Sequence, residues 1–127
     1  MRYLLDTCTF IWIVEGMALP HRVEQLFRDP DNEFFLSAAS CWEIAMKYAL
    51  GRLPLSDAPE RIVPLRRAQH GILPLPVDEE SALHISRLPQ IHRDRTDRLL
   101  VAQAVVHGLT IVTPDERIPQ YGVRTLW

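Results

Sequence analysis

The sequence has few cysteines and no long apolar run. Two cysteines in 127 residues are too few for a disulfide framework or a zinc site, so the fold must depend on its core. The apolar stretch at residues 4–14 is interrupted by Asp6 and has neither a basic leader nor a small-residue cleavage site. We therefore expect a cytoplasmic protein with no membrane partner.

Glycine and lysine are also scarce. The five glycines form no loop of the kind that surrounds phosphate, which argues against a phosphatase of small molecules. Lys47 is the only lysine, so nearly all of the positive charge is arginine, which grips phosphate well. The net charge of −2 does not by itself indicate a partner.

The length predicts one domain, residues 1–127, and the apolar share of 47% is typical of a globular protein. Apolar segments typical of strands, at 2–7, 33–36, 72–77, 109–112 and 123–126, alternate with segments of helical periodicity. We expect a three-layer α/β fold with a central, mainly parallel sheet flanked by helices. Two prolines place the third segment at a sheet edge or outside the sheet, and Pro64 should kink or split the fourth helix.

Four carboxylates are predicted to meet at one edge of this sheet. Asp6 ends the first strand and Asp115 follows the fourth, whereas Glu43 and Asp97 lie early in helices. Because parallel strands share one carboxyl edge, these groups should lie close together and raise one another's pKa. A hard cation would neutralise them, and oxygen ligands without His or Cys at ligand spacing predict Mg²⁺ or Mn²⁺.

Each carboxylate also has a purely structural explanation. The alternatives are a helix cap by Asp6, a capping box of Ser40 with Glu43, an ion pair of Glu43 with Lys47, an N-cap by Asp94 that leaves Asp97 at a favourable helix position, and a turn at Asp115. Thr7 or Thr9 could equally cap the first helix. The coincidence of four carboxylates at one edge favours the metal site.

The remaining candidates surround this edge. Arg93 and Arg98 are predicted to bind a polyanionic substrate such as RNA, although a solvated loop paired with Asp94 would also explain them. His92 could be a base or a phosphate contact, but a lone loop histidine more often makes a surface hydrogen bond. Cys8 and Trp42 are expected to pack in the core.

Four motifs resemble those of PIN-domain ribonucleases, in particular the VapC-type toxins of bacterial toxin–antitoxin pairs. They are LLDT at 4–7, SAASCWEIAMK at 37–47, the 88–104 segment with LP, HRD and DRLLVAQA, and TPD at 113–115. The resemblance implies a Mg²⁺- or Mn²⁺-dependent endoribonuclease, a homodimer, and inhibition by a cognate antitoxin. It assigns the acidic metal site to Asp6, Glu43, Asp97 and Asp115, with Thr7, Thr113 and Asp94 in support.

A catalytically inactive PIN-like module that binds RNA or a protein partner is the competing interpretation. Degenerate members of such folds usually lose one or more of the acids. All four acids are present here, which favours the enzyme.

Overall fold

The computed structural model describes all 127 residues, and its elements alternate as predicted. The strands are β1 (Arg2–Leu5), β2 (Glu33–Ser37), β3 (Ile72–Leu75), β4 (Thr110–Val112) and β5 (Thr125–Leu126). The helices are α1 (Thr7–Val14), α2 (His21–Arg28), α3 (Ala38–Ala49), α4 (Pro59–Gln69), α5 (Glu79–His84) and α6 (Arg95–His107). Two short 3₁₀ turns follow α5 and β4, at Ile85–Arg87 and Ile118–Tyr121, and the second was not predicted.

The five strands form one sheet in the order β3-β2-β1-β4-β5, and every neighbouring pair is parallel. This confirms the predicted α/β fold, with the proline-containing β3 at an edge. Consecutive strands β1, β2 and β3 extend to one side, while β4 and β5 extend to the other. The strand order therefore reverses between β1 and β4, and open parallel sheets bind ligands in the crevice at such a point.

The central strand β1 is buried on both faces of the sheet. Successive side chains of a strand point to opposite faces, so Tyr3 and Leu5 pack in one apolar cluster and Leu4 packs in the other. Leu4 and Leu5 are both fully buried. The continuous apolar character of β1 follows from this two-sided packing.

Three local expectations were wrong. Asp6, rather than Thr7 or Thr9, caps α1. Pro64 does not split α4, which continues from Pro59 to Gln69 with Ile62 and Val63 buried in the core. Ser37, rather than Ser40, caps α3, and its Oγ accepts a hydrogen bond from the Ala39 amide at 3.0 Å.

Two residues expected in the core lie at the surface. Trp42 is 57% exposed because the buried face of α3 consists of Ala39, Ser40, Glu43 and Ile44, and position 42 falls outside that face. Cys8 is exposed because the neighbouring Thr7 and Thr9 of α1 point inward instead. In both cases the position of the residue on its helix, and not the apolar character of its side chain, decides whether it is buried.

A buried polar contact fixes α6 against the end of β2. Ser37 Oγ donates to Gln103 Oε1 at 2.6 Å, and Gln103 Nε2 donates to the Pro76 carbonyl at 3.1 Å. Both Ser37 and Gln103 are fully buried, so each polar group needs its partner.

No helix is both long and apolar enough to cross a bilayer.

Candidate functional site

An open cleft of about 490 Å³ lies where β1 and β4 end. The charged side chains that line it are the four predicted carboxylates together with Asp94, Lys47 and Arg117. Strand polarity therefore brought the four acids together as predicted. Five carboxyl groups face two basic side chains, so the cleft has an excess of negative charge.

Asp6 is both a helix cap and part of the cleft. Its Oδ1 accepts a hydrogen bond from the Thr9 amide at 2.7 Å, and its Oδ2 accepts one from Thr113 Oγ1 at 2.5 Å. Thr113 Oγ1 in turn accepts from the Asp115 amide at 3.0 Å, which ties the ends of β1 and β4 together. Burial raises the pKa of Asp6, and the hydrogen bonds from Thr113 and Thr9 only partly offset this effect.

Glu43 lies on the buried face of α3. A hydrogen bond from Thr7 Oγ1 to Ser40 Oγ, at 2.9 Å, joins this face of α3 to α1. The predicted ion pair is present, with Lys47 Nζ at 3.1 Å from Glu43 Oε1. The other oxygen, Oε2, is buried and has no hydrogen-bond partner. A buried carboxylate oxygen without a partner lowers the stability of the folded state, and a bound cation would compensate this loss of free energy.

Asp97 lies in the first turn of α6, beneath the N-cap Asp94. Asp94 Oδ1 accepts a hydrogen bond from the Asp97 amide at 2.9 Å, so Asp94 is the cap that the structural alternative predicted. Burial raises the pKa of Asp97 to about 6, and a hydrogen bond to His92 lowers it only in part. The charges of Asp94 and Asp115 raise this pKa further.

Asp115 is held by the arginine two residues after it. Its Oδ1 accepts from the Arg117 amide at 2.9 Å and from Nε at 3.1 Å, and its Oδ2 accepts from Nη2 at 2.8 Å. These contacts lower the pKa of Asp115, which therefore stays ionised beside its neighbours. The predicted turn at Asp115 thus coexists with its place in the cleft.

His92 was expected to make a surface hydrogen bond, but its side chain is buried beside the cleft. Ligand atoms of His92, Asp97 and Asp115 all lie within 4.8 Å of one another. His92 Nε2 is 3.1 Å from Asp97 Oδ2, and Nδ1 is 2.6 Å from Tyr121 Oη. Its position in the loop that leads into α6, five residues before Asp97, was the available signal.

The two predicted RNA-binding arginines differ in placement. Arg98 is buried, and its Nη1 donates to the Pro89 carbonyl at 2.8 Å and to Tyr121 Oη at 3.2 Å. A guanidinium that already donates to these partners is less available to a phosphate, so the placement of Arg98 does not support the predicted contact, which stays a prediction. Arg93 is exposed and makes no hydrogen bond, and its predicted contact with RNA stays a prediction.

The donor set fits a hard divalent cation. Carboxylate oxygens are the ligands that such ions prefer, and Glu43 Oε2 is a buried carboxylate oxygen that lacks a partner. No group of the chain donates a hydrogen bond to Asp97 Oδ1, so this oxygen can also bind an ion.

Comparisons with known proteins agree with this architecture. Residues 3–123 match the family described as PIN domain. Ribonuclease VapC16 of Mycobacterium tuberculosis is 41% identical over an alignment that covers 66% of this chain and 74% of that protein. The structure of VapBC2 from Rickettsia felis, bound to a promoter DNA fragment, superposes with a TM-score of 0.74 at 13% identity and covers 99% of this chain and 98% of that one. The DNA-bound VapBC from Salmonella typhimurium gives a TM-score of 0.70 at 21% identity, over 99% and 97% of the two chains. At these identities the structural matches establish the fold.

Proposed function

The chain belongs to the PIN-domain family, and we propose that it is a metal-dependent endoribonuclease that acts as the toxin of a type II toxin–antitoxin pair. Its identity to a VapC ribonuclease supports the nuclease activity. The observation that carries the proposal for the site is the convergence of Asp6, Glu43, Asp97 and Asp115 on one cleft.

We propose that these four carboxylates hold Mg²⁺ or Mn²⁺. When bound, the ion supplies Lewis acidity, which makes an attacking water more acidic and stabilises the charge on phosphate oxygens. Thr113 supports the site by fixing the Asp6 carboxylate, and Thr7 does so by joining α1 to α3 through Ser40. Asp94 supports it as the cap that orients the first turn of α6.

Lys47 and Arg117 replace Arg98 as the proposed phosphate contacts within the cleft. Both line it, and each is paired with one of the four carboxylates, Lys47 with Glu43 and Arg117 with Asp115. Once a cation neutralises these carboxylates, the two basic side chains are free to bind the RNA backbone. Arg93, which is exposed next to the cap of α6, is a further proposed contact outside the cleft.

The proposed reaction is hydrolysis of a phosphodiester bond. A water oxygen bonds to phosphorus, the bond from phosphorus to the 3′ oxygen breaks, and that oxygen takes up a proton. The products carry a 5′-phosphate and a 3′-hydroxyl. A carboxylate of the cleft can accept the proton that the water loses.

The first test is RNA cleavage by the purified protein. We expect cleavage with Mg²⁺ or Mn²⁺, none in EDTA, and recovery when the metal is restored in excess. Mapping the cut ends would identify the sequence that is cleaved and the end groups. RNA binding without cleavage under any metal condition would instead support the inactive binding module. Undiminished cleavage in chelator would remove the metal from the mechanism.

We also propose a cytoplasmic homodimer that a cognate antitoxin inhibits by covering the acidic cleft. Expression of the chain alone should slow bacterial growth, and co-expression with the small neighbouring gene should restore it. The control is the Glu43→Gln variant, which keeps the shape of the side chain but loses the proposed ligand charge. Growth that stays normal despite abundant folded protein would contradict the toxin assignment.

A further inference from the structure

Arg98, Tyr121 and His92 form a chain of hydrogen bonds that ends on Asp97. We propose that this chain fixes the orientation of the Asp97 carboxylate, so that His92 is a positioning residue of the metal site and not a ligand. The inference rests on the proposed function, because it concerns how the proposed ion is held. It assigns a role to His92 and Tyr121 and gives Arg98 a role other than binding RNA.

The four residues come from three separate parts of the fold. His92 lies in the loop before α6, Asp97 and Arg98 belong to α6, and Tyr121 ends the 3₁₀ turn after β4. The successive distances are 3.2 Å from Arg98 Nη1 to Tyr121 Oη, 2.6 Å from Tyr121 Oη to His92 Nδ1, and 3.1 Å from His92 Nε2 to Asp97 Oδ2. Only 6% of the His92 side chain is exposed, so water competes little for these bonds.

The donors and acceptors determine the direction of the chain. A guanidinium can only donate, so Tyr121 Oη accepts from Arg98 and its own hydrogen is free for His92 Nδ1. The ionised Asp97 carboxylate can only accept, so His92 Nε2 carries a hydrogen and donates to Oδ2. In the neutral imidazole with its hydrogen on Nε2, Nδ1 is free to accept from Tyr121 Oη.

The far end of the chain is anchored. Arg98 also donates to the Pro89 carbonyl at 2.8 Å, and its guanidinium carbon lies 5.8 Å from the centre of the Tyr121 ring. The Tyr121 ring packs against the imidazole of His92 with 5.5 Å between ring centres. These contacts hold both rings in place, so the direction of the Nε2–H bond is fixed by packing.

The consequence concerns the two oxygens of Asp97. Oδ2 accepts the hydrogen bond from His92, whereas Oδ1 receives no hydrogen bond from any residue of the protein and is left for the ion. Without His92 the carboxylate could rotate about its terminal torsion, which has a broad and shallow preference. Hydrogen-bond partners of metal ligands typically contribute 10- to 100-fold in metal affinity for this reason.

The test measures Mn²⁺ affinity directly, from the electron paramagnetic resonance signal of the free ion titrated with metal-free protein. We expect roughly 10- to 100-fold weaker binding for His92→Leu, which removes both ring nitrogens. His92→Gln keeps an N–H donor close to the position of Nε2 and should recover part of the affinity. Tyr121→Phe removes a single oxygen atom and should weaken binding by roughly 10-fold while both rings remain packed.

The matched controls are His84→Gln and Tyr48→Phe, because neither side chain makes a hydrogen bond or lines the cleft. Their Mn²⁺ affinity should equal that of the parent. Thermal melts of the metal-free variants show whether each one is folded. Should His92→Leu fail to fold, Tyr121→Phe decides the question, and parental affinity in that variant would overturn the proposal.

The second readout separates positioning from direct ligation. A directly bound imidazole gives a strong nitrogen coupling in the electron spin-echo modulation of bound Mn²⁺, and we expect none in the parent. A strong coupling that His92→Leu abolishes would overturn the positioning role. A parent protein that binds no Mn²⁺ would overturn the proposed function and this inference with it, whereas equal affinity of parent and His92→Leu would overturn the inference alone.

Discussion

Replacing Asp97 with Asn is expected to abolish metal-dependent RNA cleavage while leaving the metal-free protein at least as stable as the parent at neutral pH. Asn retains the shape of Asp but removes a proposed ligand charge. The loss of activity should exceed the roughly 10- to 100-fold effect of losing a hydrogen-bond partner of a ligand. Stabilisation by added Mg²⁺ should shrink as well, since a weaker site contributes less binding free energy to the folded state.

The stability of this variant should depend on pH in a defined direction. Burial raises the folded-state pKa of Asp97 to about 6, above its ordinary value of 3.8. Between these values the unfolded chain releases the proton first, so the metal-free parent loses stability as pH rises through this window. The loss is complete above about pH 6, and Asp97→Asn should not show it.

The structural alternative predicts the opposite sign. The helix dipole stabilises a negative charge in the first turn of a helix by roughly 0.3–1 kcal/mol. If this effect dominated, Asp97→Asn would destabilise the protein. We expect burial and the charges of Asp94 and Asp115, which raise the pKa of Asp97, to outweigh this interaction with the dipole. Melts of parent and variant at pH 4 and pH 7 without metal, beside a cleavage assay on the same preparations, decide between the two.

Asp94→Asn is the matched control for this experiment. Asn is as good an N-cap as Asp, so the cap of α6 and its stability should be retained. An Asp97→Asn variant that melted lower than the parent without metal at pH 7, yet cut RNA at the parental rate, would remove Asp97 from the metal site.

Replacing Lys47 or Arg117 with Met is expected to tighten metal binding and weaken RNA binding at the same time. In the metal-free protein each cation neutralises a carboxylate of the cleft, so it competes with the incoming ion. Removing it makes the cleft more negative, which raises the affinity for Mn²⁺. The same change removes one proposed phosphate contact, which should reduce the salt dependence of binding to single-stranded RNA by a slope of about 0.7.

The opposite signs make this experiment discriminating, because a general structural defect would lower both affinities. Mn²⁺ binding and RNA binding are measured on the same preparations, the latter with catalysis blocked by Ca²⁺ or by Glu43→Gln. Arg28→Met is the control, since Arg28 pairs with Glu24 across one turn of α2 as Lys47 pairs with Glu43 in α3, but it does not line the cleft. RNA affinity and salt slope that stay at the parental values in both variants would refute the phosphate contacts.

The acidic edge of the sheet was accessible from the sequence because it depends on chain direction. The apolar segments fixed the strands, parallel strands share one carboxyl edge, and so Asp6 and Asp115 had to end up near each other. Glu43 and Asp97 lie in the first two turns of the helices that follow β2 and the 88–94 loop, and so also reach this edge. The N-cap at Asp94 was equally local and was predicted correctly.

The partners of individual side chains were decided only by the tertiary structure. Thr113 meets Asp6 across 107 positions of the chain, and Tyr121 meets His92 across 29. No local pattern encodes such pairs, because they arise when separate elements pack. The same reason explains Arg98. It follows Asp97 in the sequence and carries the positive charge that would suit a phosphate, but its side chain points inward to Pro89 and Tyr121. Residue type and strand polarity determined which groups reach the cleft, and packing determined which of them face the cleft and which only support it.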